Sequence, residues 1–146
     1  MSNKPTTDAL KIVLADSYAL YLKTHNYHWN VEGPNFRALH LMFEEQYTDL
    51  ALAVDDIAER IRSLGEKAPG TFSKFSELSS IKEGDENADA AYMAKDLADS
   101  QGQIVKSLKN ALAVAQNADD EVTAGLLIDR MGVHEKAAWM LKSTTA

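Results

Sequence analysis

The chain contains no cysteine. Disulfides, thiol catalysis and thiolate-held metals are therefore excluded, and the lack suits a reducing compartment, so a cytoplasmic location is expected. No apolar run approaches the roughly 18 to 20 residues that a membrane span requires. The start, MSNKPTTDALK, has no apolar segment behind a basic one, so no secretory leader is expected. Basic residues are outnumbered 15 to 22, which leaves a formal net charge of −7. Such a surface repels nucleic acid and attracts cations. Glycine-rich phosphate loops, internal repeats and low-complexity tracts are also missing. Only three prolines and seven glycines interrupt 146 residues, so long helices have room to form.

Those helices can be placed from caps and periodicity. Thr6 or Thr7 can cap a first helix that runs to about Asn30, with Leu10, Val13, Leu14, Tyr18, Tyr21 and Leu22 at helical spacing. That cap leaves a short tail, with Lys4 as its one base. Gly33-Pro34 ends this helix, and Asn35 can cap a second, from Phe36 to Leu64, closed by Gly65. At 1.5 Å per residue the second helix is about 43 Å long. The stretch GEKAPGTFSKFSELSSIKEGDEN reads as a crossover carrying one short helix near Ser73 to Ser79. A third helix is expected over Ala88 to Asn117 and a fourth over Asp120 to Lys142, its start marked by the acids Asp119, Asp120 and Glu121. The length suits one domain over residues 1–146. Its class is all-α: a ferritin-like four-helix bundle with a long connection between the second and third long helices.

The chemistry concentrates on the second helix and the turn before it. The segment THNYHWNVEGPNFRALHLMFEE holds three of the four histidines, His25, His28 and His40, with Glu44 following. His40 and Glu44 are four apart, as are Asp55 and Glu59, so each pair shares a helix side. Counting about 100° per residue from His40, Glu44 falls near 40°, Asp55 near 60° and Glu59 near 100°. All four lie on one stripe. Glu44 and Asp55 are nonetheless roughly 16 Å apart along the axis, too far for one metal to join them on one helix. Between them the stripe carries the small residues Thr48 and Ala51, which would let another helix approach. If a second copy of the helix crosses antiparallel at a two-fold axis near residues 49 to 50, Glu44 meets Asp55 and His40 meets Glu59. His28, across the Gly-Pro turn, can reach the same end. Imidazoles and carboxylates without sulfur suit iron, manganese or zinc, and several carboxylates at an open site favour an iron pair. No glutamate precedes a histidine by three, so the bundle-interior Glu-x-x-His arrangement is absent. The plainer alternative is a solvated acidic face paired with Arg60 and Arg62.

The span HNYHWNVEGPNFRALHLMFEEQYTDLALAVDDIAERIRSLG resembles the Dps family, the ferritin-like DNA-binding proteins from starved cells. The pattern His-Trp-Asn, Gly-x-x-Phe, His, Asp-x-x-x-Glu-Arg carries it, and the likeness covers essentially the whole chain. The resemblance implies a dodecameric shell that oxidises Fe(II), preferably with hydrogen peroxide, at two-iron sites between two-fold-related subunits, and stores ferric mineral inside. The family's ligand positions match His28, His40, Asp55 and Glu59, the last two supplied by the partner subunit. The fifth position, often aspartate, is Glu44 here. Trp29 resembles the family's aromatic near the iron, a candidate one-electron donor. A three-fold pore is implied near the last helix, with Glu121, Asp129 and Glu135 as candidate lining acids. Twelve chains at −7 each would carry −84, which suits a cage that draws in cations.

The remaining residues have structural expectations. His25 shares a helix side with His28 and is read as a hydrogen-bonded neighbour or accessory contact, outside the ligand set. His134 is expected to be structural or solvent-facing, Trp139 to pack in a core or interface, and Met42, Met93, Met131 and Met140 to fill apolar stripes. Few bases stand near either end, so DNA binding is expected to be weak or absent. The rival reading is a nucleoid-associated DNA-binding protein with incidental metal.

Overall fold

A computed structural model describes residues 3–146. Five helices occur in the order α1 (Lys4–Asn30), α2 (Phe36–Ser63), α3 (Phe72–Leu78), α4 (Ala90–Asn117) and α5 (Glu121–Ser143). Four are long and the short α3 lies in the crossover, so the all-α, ferritin-like expectation holds. α1 packs on α2, α4 on α5, α1 on α4, and α3 lies against α1. Among the described residues, no helix is long and apolar enough to cross a membrane.

The first boundary differs from its expectation. α1 begins at Lys4 with Asn3 in the capping position, and Pro5 sits in the first turn, where its missing N–H costs nothing. Thr7 does not cap; its hydroxyl donates to the Lys4 carbonyl, inside the helix. Lys4 is thus helical rather than part of a tail.

Two turns fix the long helices. Between α1 and α2, the Phe36 N–H donates to the Gly33 carbonyl at 3.0 Å. Pro34 then holds the position that prefers its fixed φ, and Asn35, at φ −102 and ψ 20, closes a turn of type I character. Gly33 has φ 117, which side-chain-bearing residues rarely adopt. At the far end of α2, Gly65 has φ 99, and the Gly65 and Glu66 N–H groups bond back to Arg62 and Ile61. That is the glycine-terminated double bond expected of a helix stop.

One apolar cluster runs through the bundle and includes Leu14, Tyr27, Phe43, Ile57, Leu97 and Leu108. Buried polar ties orient α1 within it. Lys23 donates to Asp96 at 3.0 Å and Ser100 at 2.9 Å, while the Tyr27 hydroxyl donates to Asp96 at 2.6 Å. Burial, first of all, and the Asp96 hydrogen bond push the Tyr27 hydroxyl pKa well above its usual value. Asp16, fully buried, accepts from Ser79, Ser80 and Ser107, which holds the crossover to α1 and α4. The helix bearing His28 is therefore anchored on both sides.

Met93 is buried, and Met42 and Met131 pack partly buried against the core, as expected. Trp139 is 64% exposed, so it belongs to no core in this chain. Its neighbours on α5, Lys136 and Ser143, share its solvent-facing side.

Candidate metal centre

The Gly-Pro turn brings the end of α1 back against the start of α2, so that His28 and His40 meet. Their rings stack with centroids 3.8 Å apart and planes 16° from parallel. Each ring Nδ1 lies on the other residue's backbone carbonyl, His28 to His40 at 2.8 Å and His40 to His28 at 2.7 Å. A carbonyl can only accept, so both Nδ1 atoms carry the proton. When a ring is neutral, its Nε2 then keeps the lone pair through which imidazole binds a metal. Phe36 stacks on the outer face of His40 at 4.9 Å and limits its rotation.

Glu44, one helical turn beyond His40, completes the cluster. Its carboxylate lies 3.9 Å from His28 Nε2, and one ligand atom each from His28, His40 and Glu44 fall within 4.8 Å of one another. His28 is buried, His40 half-buried and Glu44 exposed, so the cluster is closed behind and open in front.

Asp55 and Glu59 do not join these three within the chain. Both are exposed further along α2, on the same stripe as Glu44, Thr48 and Ala51. The plainer alternative required Arg60 and Arg62 to neutralise them, and neither arginine does so. Arg60 turns to α5, donating to Thr123 at 2.9 Å and Asp120 at 3.1 Å. Arg62 donates to the Glu66 carbonyl at 3.0 Å. Among the described residues, no side chain of this chain pairs with the carboxylate of Asp55 or of Glu59; the Ser63 hydroxyl reaches only the Glu59 backbone carbonyl. Leu52, between them and Glu44, is 69% exposed. An apolar and acidic face thus stands uncovered along α2.

His25 lies outside the cluster, its ring 6.2 Å from that of His28. It is held between Tyr47 at 4.3 Å and Trp29 at 3.9 Å, by ring contacts rather than hydrogen bonds. Burial, and secondly the nearby His28 charge, lower its pKa and favour the neutral ring. Trp29 is 59% exposed and touches the His25 ring, not those of His28 and His40. Tyr47 was not expected at the site. Its ring stands edge-on to His28 at 5.0 Å, and burial, then Glu44, raise its hydroxyl pKa. Its position seven residues beyond His40 was the available signal, since that spacing returns to the same helix side.

Glu121, Asp129 and Glu135 are all exposed along α5. Asp120 is structural: it caps α5 through Thr123 and receives Arg60. Burial pushes its pKa up, but the Thr123 bonds and the Arg60 charge outweigh that and hold it low. His134 is buried, not solvent-facing. It bridges Gln101 at 2.6 Å and Arg130 at 3.0 Å, and Arg130 in turn forks onto Asp49.

Residues 7–146 match the family described as Ferritin, the ferritin-like domain. DNA protection during starvation protein 2 of Bacillus anthracis is 40% identical over 141 residues, 97% of each chain. The crystal structure of a Dps protein from Bacillus brevis superposes with a TM-score of 0.95 at 38% identity, covering 99% of this chain and 97% of that one. The Dps protein from Vibrio cholerae O1, described as a ferritin-like diiron-carboxylate protein, gives a TM-score of 0.94 at 33% identity, over 99% and 91%.

Proposed function

Because the chain belongs to the Dps proteins of the ferritin-like family, we propose that it is a ferroxidase that stores iron and limits oxidative damage. Fe(II) is the substrate. It is oxidised, with hydrogen peroxide as the favoured oxidant, at a two-iron centre between two-fold-related subunits of a dodecameric shell that retains the ferric product. His28, His40 and Glu44 come from one chain, and Asp55 and Glu59 from its partner.

One observation carries this reading. Three ligands converge with both imidazole Nε2 atoms free, while two carboxylates on the same stripe stay unpaired and too distant to reach them. A half-site with its complement displaced along one helix is what an isologous interface would complete. Four or five nitrogen and oxygen ligands around an open position leave room for iron and for peroxide. The negative charge of each carboxylate stabilises Fe(III) more than Fe(II), which favours oxidation. The acids on α5 are proposed to admit iron through a pore, and Trp29 to serve as an electron donor.

Stopped-flow mixing of the apoprotein with Fe(II) and then peroxide tests this. A ferric absorbance that develops faster with peroxide than with dioxygen is expected. Oxidation at the parent's rate in a His40→Ala/Asp55→Ala double variant would contradict the site. DNA binding is proposed to be weak, on the net charge of −7. A gel shift at neutral pH and moderate salt that shows retained complexes would overturn that.

A further inference from the structure

The rings around the cluster form an unbroken array. Tyr47 is edge-on to His28 at 5.0 Å, stacked on His25 at 4.3 Å and edge-on to Tyr21 at 6.0 Å. Tyr21 continues to Tyr18 at 5.8 Å, and His25 continues to Trp29 at 3.9 Å. Tyr18, Tyr21, His25 and Trp29 are spaced three or four apart, so they form one stripe of α1. Tyr47 reaches them from α2. Both ends of the array, Tyr18 and Trp29, line the same cavity of about 600 Å³ between α1 and the crossover.

We infer that Tyr47 is a one-electron donor to the metal centre and the first station of a relay that branches to Tyr18 and to Trp29. The inference rests on the ferroxidase reading and adds to it a role for residues outside the ligand set. It also sets an order: Trp29 touches no ligand ring, and an oxidising equivalent reaches it through Tyr47 and His25.

The need for such a donor follows from electron counting. Reducing peroxide to water takes two electrons, and one Fe(II) supplies one. With two irons in the centre the count closes; with one, the second electron must come from elsewhere or a hydroxyl radical escapes. A phenol in contact with a ligand ring can provide it. The balanced step consumes Fe(II), hydrogen peroxide, the Tyr47 phenol and one proton, and yields Fe(III), the Tyr47 phenoxyl radical and two waters. The Tyr47 O–H bond and the peroxide O–O bond break, and the phenol's proton ends in water. Tyr21 then gives an electron to the Tyr47 radical and its own phenol proton to water, while Tyr47 takes a proton back from water; Tyr18 does the same for Tyr21, which moves the radical to the cavity rim.

The test loads the full protein anaerobically with one Fe(II) per centre, adds peroxide, and follows ferric absorbance and freeze-quenched paramagnetic resonance together. The parent should show a tyrosyl radical. Tyr47→Phe, which keeps the ring and removes only the hydroxyl, should lose most of the tyrosyl and tryptophanyl signal, whereas Trp29→Phe should keep the tyrosyl signal. Mass-spectrometric mapping of oxidised residues is the second readout: Tyr21→Phe should abolish oxidation at Tyr18 and spare that at Trp29. An undiminished radical in Tyr47→Phe, or Tyr18 oxidation unchanged in Tyr21→Phe, overturns the relay while leaving iron oxidation intact. Absence of ferric absorbance in the parent overturns the ferroxidase reading itself, and the relay with it.

Discussion

His28 and His40 each donate a ring Nδ1–H to the other's backbone carbonyl, at 2.8 and 2.7 Å. This reciprocal pair joins the last turn of α1 to the first turn of α2 across a five-residue link, Val31 to Asn35. Each histidine is thus both a candidate ligand and the outer support of the other, a role that usually falls to separate residues.

Removing one histidine should therefore damage two functions. His40→Ala deletes a candidate ligand, its hydrogen bond to the His28 carbonyl and the ring stacked on His28, so Fe(II) affinity should fall by about 10- to 100-fold. The lost hydrogen bond should also lower stability by about 1 kcal/mol. Isothermal titration with Fe(II) under anaerobic conditions and thermal unfolding of the apoprotein check the two parts separately.

Glu44 tests charge against shape. Glu44→Gln keeps the side chain's length and removes its charge from the open side of the cluster. The stability of the apoprotein should hardly change, because Glu44 is exposed. Fe(II) binding should weaken by about tenfold, on the scale of one lost charge-assisted contact. Calorimetric titration gives the affinity, and an unchanged value would remove Glu44 from the ligand set.

His134 predicts a pH dependence with a definite sign. Burial, and secondly the Arg130 guanidinium, lower its pKa to about 3, against 6.5 for the unperturbed group. The unfolded chain therefore binds more protons than the folded one between these values, so folding stability is full above about 6.5 and declines as pH falls towards 3. Each pH unit in that window removes up to about 1.4 kcal/mol. Denaturant unfolding at pH 7 and pH 4.5 should show this loss, and His134→Gln should reduce it.

Asp119 stands where α4 ends. Its N–H bonds to Gln116 and that of Asp120 to Ala115, the same pair of bonds that Gly65 makes possible at the end of α2. Asp119 has φ 57, a conformation that glycine adopts without the Cβ clash. Asp119→Gly should raise stability by about 0.5 to 1 kcal/mol, read as a shift in the denaturation midpoint.

Much of this was legible in the residues. Gly33, Pro34, Gly65 and the Asp119–Asp120 pair marked every break between long helices, because each turn there needs a conformation or a cap that few residues supply. The spacing of His40 and Glu44 placed them on one side correctly, since helix geometry is local. The start of α1 was misread because two threonines look like caps, and only the packing of Thr6 and Thr7 into the interior shows otherwise. Tyr47 was missed for a related reason: its spacing from His40 put it on the same helix side, but its contacts with His25 and His28 join two helices, and the period alone does not report those. The burial of His134 likewise depends on Gln101 and Arg130 from two different helices.

The central claim is that each centre is shared between two chains, and subunit complementation tests it most directly. His40→Ala and Asp55→Ala should each be inactive alone, since each removes a ligand from every centre. In a shell co-assembled from both, a mixed pair has one centre with both defects and one with neither. Random mixing should then restore about a quarter of the parent's fast iron oxidation. A mixture as inactive as either variant alone would mean that the ligands act within one chain, and would contradict the account.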